Sequence, residues 1–588
     1  MEDRRNIIMA VLLTGIILFG WPYIADYFFP APPKPVVSAT KSVEGANASG
    51  GAVTATPAAA KAVPLDAALS SSGRVAIETP KLKGSINLEG GRIDDLVMLT
   101  HTEKLSKKSP PVRLFAPSGT TNAYFASFGW IGNGATLPTD KTVWTASAQK
   151  LTPAAPVTLS WSNPVGQLFE IKLSIDEHYM LAAEQRFTNG AALPTANIAP
   201  FGSISRKGMP KDATKGGNWG LGWLFKQIHI GPMGVFNNQP NYDWNYDQVA
   251  AQPEGTKSFP TTGGWNGFTD KHWLAALIPD QKVPVKADFK SQGGYNWAHI
   301  HNAKLSPVEA GKTFTQTSRL FAGAKEFQEL RTYTKELGIP YLDYSIDWGW
   351  FWFIAIPFLT VLLWLFGVFG NFGVAIIALT LIVRGIMYPV AQKQFASMAG
   401  MRVVQPKMKA LQERYKDDKP KLQQEMMKLY QEEKVNPMAG CLPIILQIPI
   451  FFALYKILML TVEMRHQPFV LWLKDLSAPD PLTPLNLFGL LPFTPPGFLA
   501  IGVLPILVGV TMWLMQRLNP TPMDEVQKQV MGIMPWFLMF IMAPFAAGLQ
   551  LYWVVSNVLS IAQQKWLYSK HPVLKQQAVI EAEAKAKA

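Results

Sequence analysis

Long apolar runs stand at only two places in this chain, residues 7–29 and the stretch beyond 348. About 20 apolar residues of helix cross the roughly 30 Å hydrocarbon core of a bilayer, so both places can hold spans. The residues between them alternate in polarity and read as water-facing chain. With 588 residues in all, too many for one ordinary domain, this describes a membrane protein carrying one large aqueous domain.

The organisation follows from composition shifts. Arg4 and Arg5 precede the first apolar run, and no small-x-small cleavage site follows it; Trp21, Pro22 and Tyr23 come instead. This predicts an uncleaved anchor, 1–29, with its start in the cytoplasm. Residues 30–72 are rich in Ala, Pro, Gly, Ser and Thr and are expected to be a disordered tether. From 73 to 337, short alternating runs at Arg74–Glu78, 84–88, 157–161, 169–175 and 181–187 predict half-buried strands. So many strands in one block predict a large antiparallel sandwich, closed by a helix over 324–337. The only cysteine is Cys441, so no internal disulfide forms and the aqueous domain depends on its core. Cys441 itself is expected to pack as a small apolar side chain where a helix enters the membrane.

Beyond 337 come a Trp-rich region at 338–371, a span at 372–390, a polar helical segment at 391–440, apolar runs at 441–462, 499–518 and 530–568, and a tail at 569–588. The last apolar run is broken at 544–548 and reads as two short spans joined by a turn. Ten Lys and Arg residues lie in 391–440, against Arg465 and Lys474 in 463–498. Positive charge stays inside, which places 391–440 and the tail in the cytoplasm and 463–498 outside. Much of the net charge of +13 flanks spans, where it bears on topology and on anionic lipid or RNA partners. With the start also inside, an even number of crossings must precede residue 391, yet three apolar segments do. The segment 348–369 holds Trp348, Trp350, Trp352 and Trp364 and is interrupted by Pro357. Tryptophan favours the membrane–water boundary, so this segment is expected to lie in the outer interface as an amphipathic helix. Six spans then remain, with both ends cytoplasmic.

Enzyme-like strings fail on inspection. Gly311-Lys312-Thr313 has Ser306 where a phosphate loop needs its first glycine. His299 and His301 share a strand face without a third metal ligand at suggestive spacing and read as exposed strand histidines. No nucleotide site and no cofactor are implied.

Arg384 is the outstanding residue of the membrane part. It stands about 18 Å along its span at 1.5 Å per residue, and a charge at such depth normally faces a partner or water. No Asp or Glu occurs in 348–412, 434–462, 481–523 or 526–580. Thr380 is one turn away. Gln550, Trp553, Asn557, Ser560 and Gln564 recur at spacings that line one face of the last span, and Gln447 is a further amide in the third. Two readings stand: a polar cavity open to the cytoplasm, or an arginine that snorkels inward beside amides that glue helices. Lys456, near an outer end, reads as a snorkelling side chain. In 391–440, Val404, Met408, Leu411 and Tyr415 form one apolar seam and Leu422, Met426 and Leu429 another, with a break at 417–420. This predicts a basic antiparallel helical hairpin, either a solvated connector or an adaptable Met-rich contact surface.

The run Thr380-Leu381-Ile382-Val383-Arg384-Gly385-Ile386-Met387-Tyr388-Pro389 resembles the second span of the YidC/Oxa/Alb family of membrane protein insertases. Gln424-Glu425-Met426-Met427, Lys434-Val435-Asn436-Pro437, Gly440-Cys441-Leu442-Pro443 and Gln447-Ile448-Pro449-Ile450-Phe451 are similar to its hairpin and third span, and the run from Gly548 through Tyr552 and Trp553 to Asn557 is similar to its last. The resemblance covers about 345–570 in order; the aqueous half matches in size, position and β character. It implies a five-helix insertase core behind an anchor span, a β-supersandwich domain in the periplasm, and a hydrophilic groove whose charge is Arg384, with Thr380, Gln447, Asn557 and Ser560 beside it. It implies client contacts at Pro449, Phe451, Tyr552 and Trp553. It also implies work on newly made inner-membrane proteins without catalysis, with ribosome, Sec translocon and membrane lipids as partners and no DNA. The stretch 481–496, apolar over 487–493, departs from the family pattern. The competing reading is a membrane-anchored periplasmic glycan-binding or glycan-modifying protein; retained function after deletion of 73–320 would exclude it.

The parity argument has a direct check. With six crossings, a cysteine at Asn371 is labelled only from outside and one at Ser397 only from the cytoplasm. Labelling of Asn371→Cys from the cytoplasm would overturn the topology.

Overall fold

The computed structural model describes residues 62–70, 73–106, 108–210, 228–415, 418–433, 442–488, 490, 491, 493, 495, 500–518 and 525–570. The anchor 1–29, most of the tether, Cys441 and the tail beyond 570 lie outside them. The chain divides into two units, Met1–Asp347 and Trp348–Ala588.

The first unit holds an eleven-stranded and a nine-stranded sheet. Period-2 alternation accounts for the strands: in Leu168–Ile175, Phe169, Ile171, Leu173 and Ile175 are buried while Glu170 and Lys172 are not. The five runs named above all fall in strands, with ends shifted by two residues at most. Among the described residues, pairing is antiparallel apart from one short parallel contact, Ala76 and Ile77 against Lys150 and Leu151. Trp130, Phe169 and Phe187 meet in the core with ring centroids 5.1 and 4.8 Å apart. Two buried amides reach from one sheet to the backbone of the other: Gln185 Nε2 donates to Gly129 O at 2.6 Å and Asn266 Nδ2 to His299 O at 2.9 Å. A short helix, α1 (Leu65–Ser70), stands where tether was expected, with Val63 N–H bonded to Gly119 O at 3.0 Å. Disorder up to 72 is therefore corrected for 62–70. A second short helix is α2 (Tyr246–Ala250), closed by a capping box at Asn245 and Gln248.

His299 and His301 are half-buried, which corrects their reading as exposed. His301 Nε2 lies 3.8 Å from Asp288 Oδ2. Burial pushes the His299 imidazole down to about 4. No metal-holding cluster occurs among the described residues.

The predicted helix over 324–337 is α3 (Phe327–Glu336), with Phe327, Leu330 and Tyr333 buried. Glu326, just before it, accepts from Lys81 Nζ and from the Tyr179 hydroxyl, both at 2.6 Å, and lies 3.4 Å from His101 Nε2. Burial works against its charge, but these hydrogen bonds outweigh it and hold the carboxylate at about 2.

The second unit is helical: α4 (Trp352–Phe369), α5 (Phe372–Ile386), α6 (Tyr388–Arg414), α7 (Lys419–Glu432), α8 (Leu442–Leu460), α9 (Val503–Leu518), α10 (Glu525–Met542) and α11 (Ala547–Lys570). Among the described residues, α4 alone passes for a bilayer crossing by length and composition; α5 with the start of α6 would pass together but is bent by 57°. The break at Met387 falls before the expected span end at 390, because Pro389 lacks an N–H and clashes with the preceding turn. The α4 helix has no polar face. It buries Ala355, Leu359, Leu362 and Leu365 and exposes Phe353, Trp364, Val368 and Phe369, which corrects its reading as amphipathic. Gly370 ends it with φ 65°, its N–H on Phe366 O at 2.7 Å, and the Asn371 side chain starts α5 by accepting from Val374 N–H. The broken last run is α10 and α11. Gln550 Nε2 spans their turn, donating to Met542 O at 2.8 Å and Phe545 O at 2.9 Å.

Glu326 yields a pH test. A carboxyl held below its unfolded value, about 4.3, contributes stability above that value and loses it as pH falls toward about 2. Glu326→Gln should cost on the order of 1–3 kcal/mol at pH 7, with the deficit shrinking between about pH 5 and pH 2. Urea unfolding of the full chain in detergent, followed by tryptophan fluorescence, measures it; a deficit independent of pH would rule out the charge as the cause.

Candidate functional site

Arg384 sits three residues before the break at Met387, half-buried. Its Nε donates to Ser556 Oγ on α11 at 3.0 Å, and Nη2 reaches the same oxygen. Among the described residues no carboxylate pairs with it. One turn before Ser556, the Tyr552 hydroxyl accepts from Gln447 Nε2 on α8 at 3.0 Å. Three helices thus join through one polar column of Arg384, Ser556, Tyr552 and Gln447. A guanidinium donates five N–H groups and accepts none, so one hydroxyl leaves most of its hydrogen-bonding capacity unused.

The other expected groove residues are placed differently. Thr380 is fully buried and its hydroxyl donates to Ile376 O at 2.7 Å within its own helix. Asn557 Nδ2 donates to Thr511 Oγ1 on α9 at 2.9 Å, and Ser560 Oγ to Ser556 O at 2.8 Å. Gln550, expected on the same face, braces the α10–α11 turn instead. The polar residues of α11 therefore serve different partners, Asn557 α9, Gln550 the turn after α10 and Ser560 its own backbone, and the arc that meets Arg384 carries Tyr552 and Ser556. Sequence reading passed over Ser556, although its spacing of four from both Tyr552 and Ser560 put it on a shared face.

Of the expected client contacts, Phe451 and Trp553 meet edge to face with centroids 5.3 Å apart, and Phe451 also meets Phe545 at 6.1 Å. Pro449 is half-buried inside α8; Tyr552 is buried in the polar column. Lys456, expected to snorkel, is buried with its stem against Gly349.

The hairpin is α6 and α7. Asp418 Oδ1 caps the Lys421 N–H at 3.1 Å and Pro420 occupies the first turn. Val404, Met408 and Leu429 are buried together, with Leu411, Met426 and Tyr430 packed against them. Leu422 is half-buried outside that cluster.

The family model described as "60Kd inner membrane protein" matches residues 364–575, and that of the YidC periplasmic domain matches 74–361. The membrane protein insertase YidC of Zymomonas mobilis is 44% identical over 97% of this chain and 96% of its own length. Those of Nitrobacter hamburgensis and Bradyrhizobium diazoefficiens are 41% and 40% identical over 97% of the chain and 96% and 97% of theirs. The chain belongs to the YidC family of membrane protein insertases. The resemblance carried by the Arg384, Gln447 and Tyr552 motifs is thereby shown, and it extends over the β domain, where residues alone had supported only size and β character. It is a membrane protein whose work is insertion, not catalysis.

Hairpin packing can be tested separately from the polar column. Leu411→Asp places a charge against the seam at a cost of a few kcal/mol. It should open the hairpin to limited proteolysis near 415–419 and lower client insertion while the spans stay assembled. Unchanged insertion with a hairpin shown to be open would reduce it to a connector.

Proposed function

We propose that the chain inserts newly made inner-membrane proteins along a hydrophilic groove whose charge is Arg384. The observation that carries this reading is an arginine inside an apolar helix whose described partner is one neutral hydroxyl, Ser556. A structural ion pair would have a carboxylate; this cation is left able to attract one. Gln447, Tyr552 and Ser556 keep the site polar, with Asn557 and Ser560 behind them. Pro449, Phe451 and Trp553 form an apolar edge along which a client helix slides.

The topology we favour has six spans, both ends in the cytoplasm, the β-supersandwich in the periplasm, and α4 lying in the outer interface. The excess of Lys and Arg in 391–440 and the parity it imposes support this. A ribosome with its nascent chain and the Sec translocon are the partners this arrangement suits. The basic hairpin lies on the ribosome's side, and the absence of any nucleotide motif leaves driving force to the client's own partition. A glycan-binding anchor would need neither Arg384 nor the hairpin.

The mechanism is electrostatic. A client segment must cross roughly 30 Å of hydrocarbon, and a wet groove partway in shortens the dry path. Attraction between Arg384 and an acidic client residue is on the order of 1–4 kcal/mol at effective dielectrics of 80 to 20. Arg384→Lys should keep most activity. Arg384→Ala should slow clients with acidic leading segments by at least about fivefold and basic ones little. Arg384→Glu should be worst for acidic clients. Insertion of one single-span client with acidic, neutral and basic leaders, normalised to insertase level, measures this; equal loss for all three would reject the mechanism.

A further inference from the structure

We propose that the loop between α8 and α9 carries an apolar wedge that enters the outer leaflet, its occupant being the acyl-chain boundary of the lipid itself. The inference rests on the six-span reading, which puts this loop outside.

The wedge is built, not loose. Asp480, 5% exposed, fixes its base: Oδ1 accepts from Leu482 N–H at 3.0 Å and Trp472 Nε1 at 2.9 Å, and Oδ2 from Leu504 N–H at 2.8 Å. Leu482 O in turn accepts from Val503 N–H at 3.0 Å. Above the base, Leu487 N–H bonds to Pro484 O, Phe488 N–H to Thr483 O and Leu491 N–H to Asn486 O, each at 3.0 Å. Leu487 and Phe488 both stand in the left-handed region, at φ 49° and 59°, where bulky side chains rarely sit. This fold turns apolar side chains outward: Leu485, Leu487, Phe488, Leu490, Leu491 and Phe493 are 41% to 82% exposed.

Three observations favour lipid over a protein. The chain has no Asp, Glu, Lys or Arg from 481 to 516, whereas protein docking patches carry a polar rim and favour Arg. The backbone N–H groups of Leu487, Phe488 and Leu491 are bonded within the loop, as an apolar phase requires. The apolar surface also continues at the same end of the bundle. Gly349 sits against Lys456, one turn from the end of α8, and beside it Trp350 is 87% exposed. Phe469 in this loop receives the Asn371 amide at 3.2 Å. Interfacial tryptophan and an apolar knob at the same end of a bundle are what anchors a surface in the headgroup–acyl boundary.

The test uses the full chain, with Cys441→Ser, in vesicles of phosphatidylethanolamine and phosphatidylglycerol. An environment-sensitive fluorophore is placed on Leu490→Cys and, separately, on Val558→Cys in the middle of α11, which is 50% exposed. The expected result is blue-shifted emission at both positions, strong quenching by lipids with a nitroxide on the acyl chain, and little by aqueous iodide. If Val558→Cys is lipid-quenched but Leu490→Cys responds to iodide, the wedge is overturned and the span reading stands. If Leu490→Cys responds to neither, a protein covers the loop and the lipid assignment is overturned. If Val558→Cys responds to iodide alone, the span reading fails and the wedge with it.

Discussion

An arginine held by a hydroxyl inside an apolar helix is the constraint around which the helical unit is arranged. Desolvating a guanidinium without a counter-charge is expensive. The helices around Arg384 answer with polar groups in a column instead of a carboxylate. Ser556 takes the charge directly, and Tyr552 and Gln447 extend the polar path to α8. That requires α5, α8 and α11 to meet, and α11 to keep its other amides turned elsewhere. Asn557 is committed to Thr511 on α9 and Gln550 to the turn after α10.

Three cations of the β domain are held in the opposite way. Arg74 faces Asp94, Arg206 grips both oxygens of Asp270 at 2.7 and 3.0 Å, and Lys81 faces Glu326 at 2.6 Å. Such pairs hold edges and helix ends in register, and the carboxylate balances each cation where it stands. These three cations meet carboxylates, whereas Arg384 meets a hydroxyl. The contrast supports the proposed role of Arg384 in receiving an outside group.

Local features were legible in the sequence where one physical rule acts alone. Alternation located the strands Leu168–Ile175 and Met180–Thr188 to within a residue, because each has one buried face. The seam of Val404, Met408 and Leu411 against Met426 and Leu429 followed from helical periodicity in a polar setting. Long-range pairing was not legible: Met180–Thr188 lies against Thr313–Ala324, and nothing in either strand names its partner. Ser556 escaped because a serine in an apolar helix ordinarily bonds its own backbone, as Ser560 does. Only the approach of α5 makes it a ligand for arginine. The tryptophans of 348–369 pointed to an interface, but only Trp352 and Trp364 lie in α4, and the apolar character of its exposed face was hidden until its packing face was known.

Packing at one end of the helical bundle explains how so short a set of helices stays aligned. Ala547 and Gly548 N–H groups bond to Ala478 and Leu476 O at 2.7 and 2.9 Å. A Cβ on Gly373 would lie 2.0 Å from the Phe469 ring. The turns before α5 and before α11 are thereby both fastened to the loop that follows α8. At the opposite end, α5 breaks at Met387 and the chain leaves as the hairpin. A bundle pinned at one end and leaving as a bent helix at the other suits the proposed groove, in which the polar column at Arg384 lies toward the bent end. That asymmetry is what the proposed groove, accessible from a single side, would require, and it rests on backbone hydrogen bonds, a glycine contact and one proline-induced bend.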